Sequence, residues 1–176
     1  MRTIPQQTTS NLTTTEGVIL GLLAERERSG YDLLKRAEGS VAHMWAPAKS
    51  QLYAVLPRLV DAGLASRRTV RQSPRPDKQV YRLTRSGRAA VREWLESSPP
   101  KSWDELMLKV FFAKLCSREA LLRQLDDYAE VQRGFLAEYE VITPATRYGA
   151  LTLEYGLELM PARLRWLAKA KRELSR

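Results

Sequence analysis

The sequence predicts a mainly α-helical protein with one small β-hairpin, organised in two domains. Apolar residues recur at helical spacing through most of the chain, and two short strand patterns flank the polar segment 71–78. The tetrapeptide Ser-Ser-Pro-Pro at 97–100 interrupts the helical pattern and is the best domain boundary. We therefore expect a flexible polar tail over 1–12, a first domain over 13–98 and a second domain over 101–176.

Capping signals mark the starts of the predicted helices. An S/T-x-x-E/D pattern occurs at 13–16, 29–32 and 102–105, each time ahead of an apolar run. Such a pair of side chains satisfies the N–H groups left over at a helix start. A third helix is expected after Trp45, with Pro47 in its first turn and Gly63 at its C-terminal stop. Its buried stripe is predicted to be Leu52, Val55, Leu56, Leu59 and Val60.

A hairpin is expected to follow the third helix. The segments 64–70 and 79–83 are predicted to be strands, and the loop between them has two prolines and no apolar residue, which is typical of a projecting tip. Thr84 is suited to cap a fourth helix that reaches about Ser97. Three helices followed by a hairpin are the order of a winged helix-turn-helix domain, in which the hairpin is the wing.

Positive charge is concentrated at this hairpin. The chain has a formal net charge of +9, and residues 67–92 hold nine arginines and lysines with a single acid, Asp77. A solvated face usually mixes the two signs, whereas a one-sided surface attracts a polyanion. Because a helix beside a basic hairpin can dock on a duplex, we expect double-stranded DNA as the partner. A merely solubilising surface is the alternative.

The third helix is expected to turn a small, polar face outward. Opposite its apolar stripe lie Ser50, Ala54, Pro57 and Asp61, and the small side chains permit close approach to a major groove. Pro57 inside the helix and the negative charge of Asp61 count against an ideal DNA-reading helix. The candidate DNA-binding residues are Lys49, Ser50, Gln51, Tyr53, Ala54, Arg58, Arg67, Arg68, Arg71, Arg75 and Lys78.

The second domain is predicted to be a helical, antiparallel-type dimerisation domain. Large side chains from Leu121 to Ile142 recur at alternating steps of four and three, and the last helix carries two apolar stripes. A helix that is apolar on two faces needs two partners, so we expect a homodimer; an intramolecular bundle in a monomer is the alternative. The predicted dimerisation residues are Tyr148, Leu151, Leu153, Tyr155, Leu157, Leu159, Met160, Leu164, Trp166 and Leu167.

The residues do not suggest a site for catalysis. His43 is the only histidine, so a histidine-based zinc site or triad lacks its residues, and His43 is expected to pack or cap between helices. Cys116 is the only cysteine and is expected to be a neutral thiol. We predict no metal, no cofactor and no enzymatic activity. The lone cysteine and the lack of a long apolar run indicate a cytoplasmic protein with no membrane partner.

An ordered set of motifs resembles the PadR family of transcriptional regulators. The motifs are Trp45-Ala46-Pro47-Ala48-Lys49-Ser50-Gln51-Leu52-Tyr53, then Leu56, Leu59 and Ala62-Gly63-Leu64, then Tyr81-Arg82-Leu83-Thr84 and Gly87, and finally Glu105-Leu106-Met107-Leu108-Lys109-Val110-Phe111-Phe112. The resemblance covers nearly everything from Thr13 onward, and Pro57 departs from the family pattern. It implies DNA contacts around Lys49, Ser50, Gln51 and Tyr53, supported by Lys78 and the wing arginines.

The expected function is a sequence-specific DNA-binding transcriptional regulator that binds a pseudo-palindromic operator as a homodimer. The resemblance further implies repression and release by a small aromatic ligand. Trp103, Tyr148, Tyr155 and Trp166 form a candidate effector pocket, and core packing is the other interpretation of these aromatic residues. Two other functions stay open: a winged-helix module that docks an acidic protein, and a nonspecific nucleic-acid binder.

Overall fold

Helices make up most of the chain. A computed structural model describes residues 12–73, 76–97 and 99–176, and within these residues the helices are α1 (Thr14–Glu25), α2 (Gly30–Glu38), α3 (Lys49–Asp61), α4 (Arg85–Ser97), α5 (Trp103–Phe111), α6 (Arg118–Glu140) and α7 (Arg147–Leu174). The strands are β1 (Arg28–Ser29), β2 (Ala65–Val70) and β3 (Lys78–Leu83). The predicted fold class, mainly α with a small β-hairpin wing, is therefore confirmed.

The chain forms two compact units, of which the first ends at Ser117. Helix α5 belongs to this first unit, because Leu108 and the following Phe112 are part of the core that also contains the apolar residues of α1. A Cβ on Gly21 of α1 would lie 2.8 Å from the Phe112 ring, so the two segments are in close contact. The boundary between the two compact units therefore follows Ser117 and is not at 97–100. The separate functions expected for 13–98 and 101–176 stay a prediction.

The three strands form one antiparallel sheet in the order β1-β3-β2. The hairpin pairs Ala65 with Leu83 at its base and Val70 with Lys78 toward its tip, close to the predicted strand limits. The sequence does not predict β1, because two residues are too few to show an alternating pattern. This short strand pairs with β3 and so attaches the start of α2 to the wing.

The capping prediction holds in full at two helices and in part at a third. At α1 and α2, the N-cap hydroxyl and the acidic side chain three residues later bond to each other's backbone N–H groups. At α5 the Ser102 hydroxyl accepts a hydrogen bond from the Glu105 N–H at 3.1 Å. The Glu105 carboxylate instead accepts hydrogen bonds from Thr14 Oγ1 and from the Lys101 N–H, at 3.3 Å each. The predicted reciprocal half of this box is wrong because the carboxylate is engaged by α1.

Helix α3 begins later and ends where the sequence predicts. Pro47 lies outside the helix, because Ala48 has a ψ of 142° and the helix starts at Lys49. Gly63 has a φ of 70°, a left-handed conformation that glycine adopts without a steric penalty. The N–H of Leu64 then donates to a carbonyl in the last turn of α3 at 2.9 Å, which closes the helix.

Thr84 joins the end of α3 to the start of α4. Its hydroxyl donates to the Gly63 carbonyl oxygen at 2.7 Å and accepts a hydrogen bond from the Gly87 N–H at 2.9 Å. Its backbone N–H donates to the Leu64 carbonyl oxygen at 3.2 Å. A Cβ on Gly87 would lie only 1.9 Å from that same carbonyl oxygen, so this approach requires glycine. The base of the wing is therefore fixed to the helices on both sides.

Each unit has its own interior. In the first, Leu20, Leu33, Leu56 and Trp94 are almost completely buried among the apolar faces of α1 to α4. Leu12 is buried as well, while residues 1–11 of the predicted tail lie outside the described residues. Residues of α3 and of the wing strands belong to this interior, which holds both elements against the other helices of the unit.

In the second unit, α6 and α7 pack side by side. A Cβ on Gly156 of α7 would lie 2.5 Å from the Tyr139 ring of α6, so the two helices approach closely at this glycine. Leu121, Leu125 and Gln132 of the predicted heptad stripe are buried. Throughout residues 12–73, 76–97 and 99–176, every helix is too short or too polar to cross a membrane.

Candidate nucleic-acid interface

The outward face of α3 carries the polar residues that the sequence predicts there. Leu52, Val55, Leu56 and Leu59 are buried. The remaining faces expose the predicted DNA-binding residues Lys49, Ser50, Gln51, Tyr53, Ala54 and Arg58. The helix continues through Pro57, whose side chain is exposed. The first two turns of α3 thus present donors and acceptors of the kinds that contact base edges and phosphates.

Tyr53 is positioned by the start of α2. A Cβ on Gly30 would lie 2.7 Å from Cε1 of Tyr53, so the ring rests directly on the backbone of this glycine. Nζ of Lys49 lies 6.0 Å from the centre of the same ring, at the outer limit of a cation–π contact. The Tyr53 side chain remains 42% exposed, which leaves it accessible to a ligand.

Gln51 has a partner within the protein. Its Nε2 donates to Oγ1 of Thr15 in α1 at 3.3 Å, and Nε1 of Trp45 donates to the same hydroxyl at 3.3 Å. Both hydrogen bonds are long and therefore weak. Because the rest of the Gln51 side chain is exposed, its amide can exchange this hydrogen bond for one to another group.

The wing carries a row of exposed arginines. Arg67, Arg68 and Arg71 are all exposed, and Arg68 forms an ion pair with Glu27 just before β1. In the part of the chain that the structure describes, Arg67 and Arg71 have no acidic partner. The predicted contact residue Arg75 lies outside the described residues. The positive charge of Arg67 and Arg71 is therefore available to an anion.

Lys78 forms an ion pair at the edge of this surface. Its Nζ lies 2.7 Å from Oδ2 of Asp32, which also accepts a hydrogen bond from Oγ of Ser29 at 2.7 Å. The hydrogen bond from Lys78, followed by that from Ser29, lowers the pKa of Asp32 to about 2. The carboxylate is thus ionised at neutral pH and joins the first turn of α2 to β3.

The three elements enclose an open groove. It has a volume of about 500 Å³ and is lined by residues of α2, α3 and the wing, among them Tyr31, Asp32, Tyr53, Gln72 and Lys78. The structure therefore brings the predicted residues Tyr53 and Lys78 to one surface, although they are far apart in the sequence.

The predicted dimerisation residues of α7 fall into two sets. Met160 and Leu167 are buried, and Leu153, Leu157, Leu159, Leu164 and Trp166 are half-buried. By contrast, Tyr148, Leu151 and Tyr155 are 81%, 56% and 66% exposed. One side of α7 is thus largely covered within the second unit, and an apolar side is open to solvent.

The four aromatic residues of the candidate effector pocket lie in different units. Trp103 belongs to α5 in the first unit, whereas Tyr148, Tyr155 and Trp166 belong to α7 in the second. Trp103 and Trp166 are half-buried, and the two tyrosines are exposed. The pocket stays a prediction.

The two residues considered above for a catalytic or metal-binding role, His43 and Cys116, lie in different surroundings. His43 is exposed, so the expected packing between helices is wrong. Sγ of Cys116 is 3.3 Å from the Ala113 carbonyl oxygen, and burial raises the pKa of this thiol, which keeps it neutral at pH 7. The described residues contain no group of three or more histidine, cysteine or acidic side chains that could hold a metal ion.

Comparisons with known proteins decide the family. Residues 19–93 match the transcriptional regulator PadR-like family, and residues 104–175 match the family described as virulence activator alpha C-term. The negative transcriptional regulator PadR of Bacillus subtilis (strain 168) is 32% identical over 125 residues, which cover 69% of this chain and 69% of that protein. This chain belongs to the PadR-like family. The predicted resemblance is thereby confirmed.

Other relatives of this PadR-like chain span more of its length. The probable transcriptional regulator Rv1176c of Mycobacterium tuberculosis is 27% identical over 172 residues, covering 85% of this chain and 91% of that protein. The crystal structure of Bacillus subtilis PadR in complex with operator DNA is 26% identical, covers 92% of this chain and 99% of that chain, and has a TM-score of 0.47. The family and the curated relatives are transcriptional regulators, which confirms that the chain is not to be grouped with enzymes.

Three residues next to the candidate interface of this PadR-like chain were not predicted from the sequence. Thr15 holds the Gln51 amide, Gly30 supports the Tyr53 ring, and Asp32 pairs with the wing. Asp32 is part of the S/T-x-x-E/D pattern at 29–32, but that pattern predicts only a helix start and not the ion pair with Lys78. Nothing in the sequence indicates which side chain covers Gly30.

Proposed function

We propose that this PadR-like protein is a sequence-specific DNA-binding regulator that represses transcription by binding a pseudo-palindromic operator as a homodimer. One observation carries the proposal: Lys49, Ser50, Gln51 and Tyr53 are exposed on the first turns of α3, beside a wing that bears exposed arginines. A helix with this face fits a major groove, which is about 12 Å wide. The wing arginines fit the phosphate backbone or the adjacent minor groove.

Reading of sequence and attraction to the backbone are assigned to different side chains. The Gln51 amide has the donor and acceptor that pair with adenine in the major groove. Arg67 and Arg71, which have no acidic partner among the described residues, supply an attraction that does not depend on sequence. An architectural binder would need only the second group, so the exposed polar residues of α3 favour a sequence reader.

The open side of α7 supports the homodimer. Tyr148, Leu151 and Tyr155 form an apolar surface that a second copy can cover, and burying a large apolar side chain contributes about 1.5–3 kcal/mol. A two-fold symmetric protein contacts two half-sites that are related by the same symmetry. The proposed operator is therefore an inverted repeat.

Repression and effector release rest on the family relationship. The Bacillus subtilis relative is named a negative transcriptional regulator, which supports repression. A small aromatic ligand is the proposed effector class, because Trp103, Tyr148, Tyr155 and Trp166 supply aromatic surface. A saturable change of tryptophan fluorescence on titration with simple aromatic acids is expected, and the absence of any such change would contradict the effector proposal.

Selection of bound duplexes from a random pool tests the proposed function. The purified full-length protein is used at a salt concentration of about 0.15 M. We expect enrichment of an inverted repeat whose half-sites are about 34–36 Å apart, one helical turn. Binding without enrichment would indicate a nonspecific nucleic-acid binder. No binding to any duplex would indicate that the basic face docks an acidic protein.

A further inference from the structure

A second basic surface lies at the base of the wing. A groove of about 390 Å³ is lined there by Arg26, Glu27, Arg82, Thr84, Arg85 and Arg88, and all four arginines are exposed. Arg82 pairs across the hairpin with Ser66, four residues from the pair near the tip. At about 3.3 Å per residue, the groove is roughly 13 Å from that end of the hairpin. None of these arginines belongs to the DNA-binding set assigned above.

The positive charge of this groove is not balanced within the first unit. Its one acid, Glu27, is engaged by Arg68. Among the residues that the structure describes, Arg26, Arg82, Arg85 and Arg88 have no acidic partner. Arg92, further along α4, shows the contrast: its Nε lies 3.0 Å from the Glu96 carboxylate. The groove therefore remains strongly positive.

Stability of the fold does not account for this arrangement. Arg85 and Arg88 lie at the start of α4, where the helix dipole favours acidic side chains, and the first turn has no acid. The two arginines are three residues apart, and neighbouring like charges on a helix surface destabilise it. Positive charge at this position thus opposes the stability of α4. A function in binding an anion explains why arginine is present.

We propose that Arg26, Arg82, Arg85 and Arg88 form a second phosphate-binding surface, which contacts the backbone of duplex DNA outside the operator segment contacted by α3. The inference rests on the proposed function, because it assumes that α3 holds the operator. Guanidinium groups bind phosphate oxygens in a bidentate geometry. Contacts with flanking DNA would add affinity and leave the sequence preference unchanged.

The composition of the groove favours DNA over an acidic protein. The centre of a protein–protein interface is enriched in aromatic and apolar side chains. The exposed side chains of the groove include four arginines, whereas its apolar lining residues Leu23, Ala24 and Leu83 are buried or half-buried. Among the described residues, the large exposed apolar side chains are elsewhere. Protein–DNA interfaces are more polar and more positively charged, as this groove is.

The experiment compares two duplex lengths. The short duplex is the operator enriched by selection, and the long duplex extends it on both sides by about 20 base pairs of arbitrary sequence, two helical turns. The test variant combines Arg82→Gln, Arg85→Gln and Arg88→Gln. Its matched control combines Arg118→Gln, Arg123→Gln and Lys169→Gln, three exposed positions in the second unit that lower the net charge by the same amount.

The test variant should bind the short duplex as tightly as the control does. On the long duplex it should bind at least about tenfold more weakly than the control, with a salt-dependence slope lower by up to about 3, since each phosphate contact contributes about 0.9. Arg85→Gln alone, at an exposed helix start, should give a smaller loss of the same kind. Unchanged binding to the short duplex shows that the variants are folded.

With a selected operator, two results would overturn the proposed second phosphate-binding surface. Equal affinity of test variant and control for the long duplex shows that the groove does not contact DNA and leaves an acidic protein as its partner. An equal loss on both lengths shows that the arginines act on the operator itself. If selection enriches no operator, the proposed function has failed. The variants are then compared on a duplex of arbitrary sequence, where equal binding rejects the groove as a phosphate-binding surface.

Discussion

Nζ of Lys78 lies 2.7 Å from the Asp32 carboxylate, and this ion pair joins the first residue of β3 to the first turn of α2. Both side chains are more than one-third exposed, so solvent screens the pair. Its position is more informative than its strength, because Gly30 of the same helix turn supports Tyr53. The wing and α3 therefore both contact the start of α2, the wing through Lys78 and α3 through Tyr53.

Asp32→Asn should lower the free energy of unfolding by roughly 0.5–1 kcal/mol at pH 7. The pKa of Asp32 is about 2 in the folded protein, compared with the ordinary value of 3.8 expected in the unfolded chain. The contribution is therefore present above about pH 4 and is lost as the pH falls toward 2. Urea unfolding from pH 7 to pH 2 checks this, with Asp77→Asn at a nearby exposed acid as the control. A difference between wild type and Asp32→Asn that stays constant below pH 4 would contradict the assignment.

Gln51→Ala and Arg71→Gln should separate sequence reading from charge. The first change should relax the preference at one base pair, by about 1–3 kcal/mol for a bidentate contact. The second should weaken binding to all sequences about equally and reduce the salt-dependence slope by about 1. Titration of the selected operator and its single-base variants measures both effects. If the two proteins lose affinity in the same way on every duplex, direct reading by α3 is wrong.

Tyr155→Asp should abolish the proposed homodimer, because it places a charge on the open apolar side of α7, where Tyr155 is 66% exposed in the single chain. Sedimentation equilibrium at micromolar concentration should give the mass of two chains for the wild type and of one chain for the variant. Ala137→Asp, at an exposed position of α6, is the control and should remain dimeric. A wild-type mass of one chain would reject the dimer itself.

Lys109→Met should remove a pH dependence of stability. Lys109 is 1% exposed, its Nζ donates to the Trp94 carbonyl oxygen at 2.9 Å, and burial lowers its pKa from 10.5 to about 8. Between these two values the unfolded chain binds the proton more tightly, so stability rises with pH, by roughly 2 kcal/mol. Urea unfolding at pH 7 and pH 10 should show this rise in the wild type and a smaller one in Lys109→Met. If the free energy of unfolding changes equally between pH 7 and pH 10 in both proteins, Lys109 does not cause the pH dependence.

Local patterns were sufficient to predict the elements that carry the candidate interface. The apolar stripe of α3 repeats at helical spacing, so its exposed face follows directly, and Gly63 marks the helix end by the conformation it adopts. The hairpin limits follow from its prolines and polar loop. These features depend on residues within one or two turns of each other.

Contacts between distant residues were not predictable in this way. Thr14 and Glu105 are hydrogen-bonded although they are 91 residues apart, and this contact joins α5 to α1 within the first unit. The sequence near 97–100 indicates that helical structure is interrupted there. It does not indicate which elements the next helix packs against. The support of Tyr53 by Gly30 is of the same kind, since a glycine does not indicate its neighbours.

Because of the hydrogen bonds of Thr84, the wing loses conformational freedom when the protein folds and not when it binds a ligand. Both ends of the hairpin are tied down, by the Gly63 and Leu64 carbonyls on one side and by Gly87 on the other. The entropy of closing this loop is therefore lost during folding and not during association with a ligand. Since loop entropy changes slowly with length, residues added beyond Arg71 should lengthen the reach of the wing with little loss of stability.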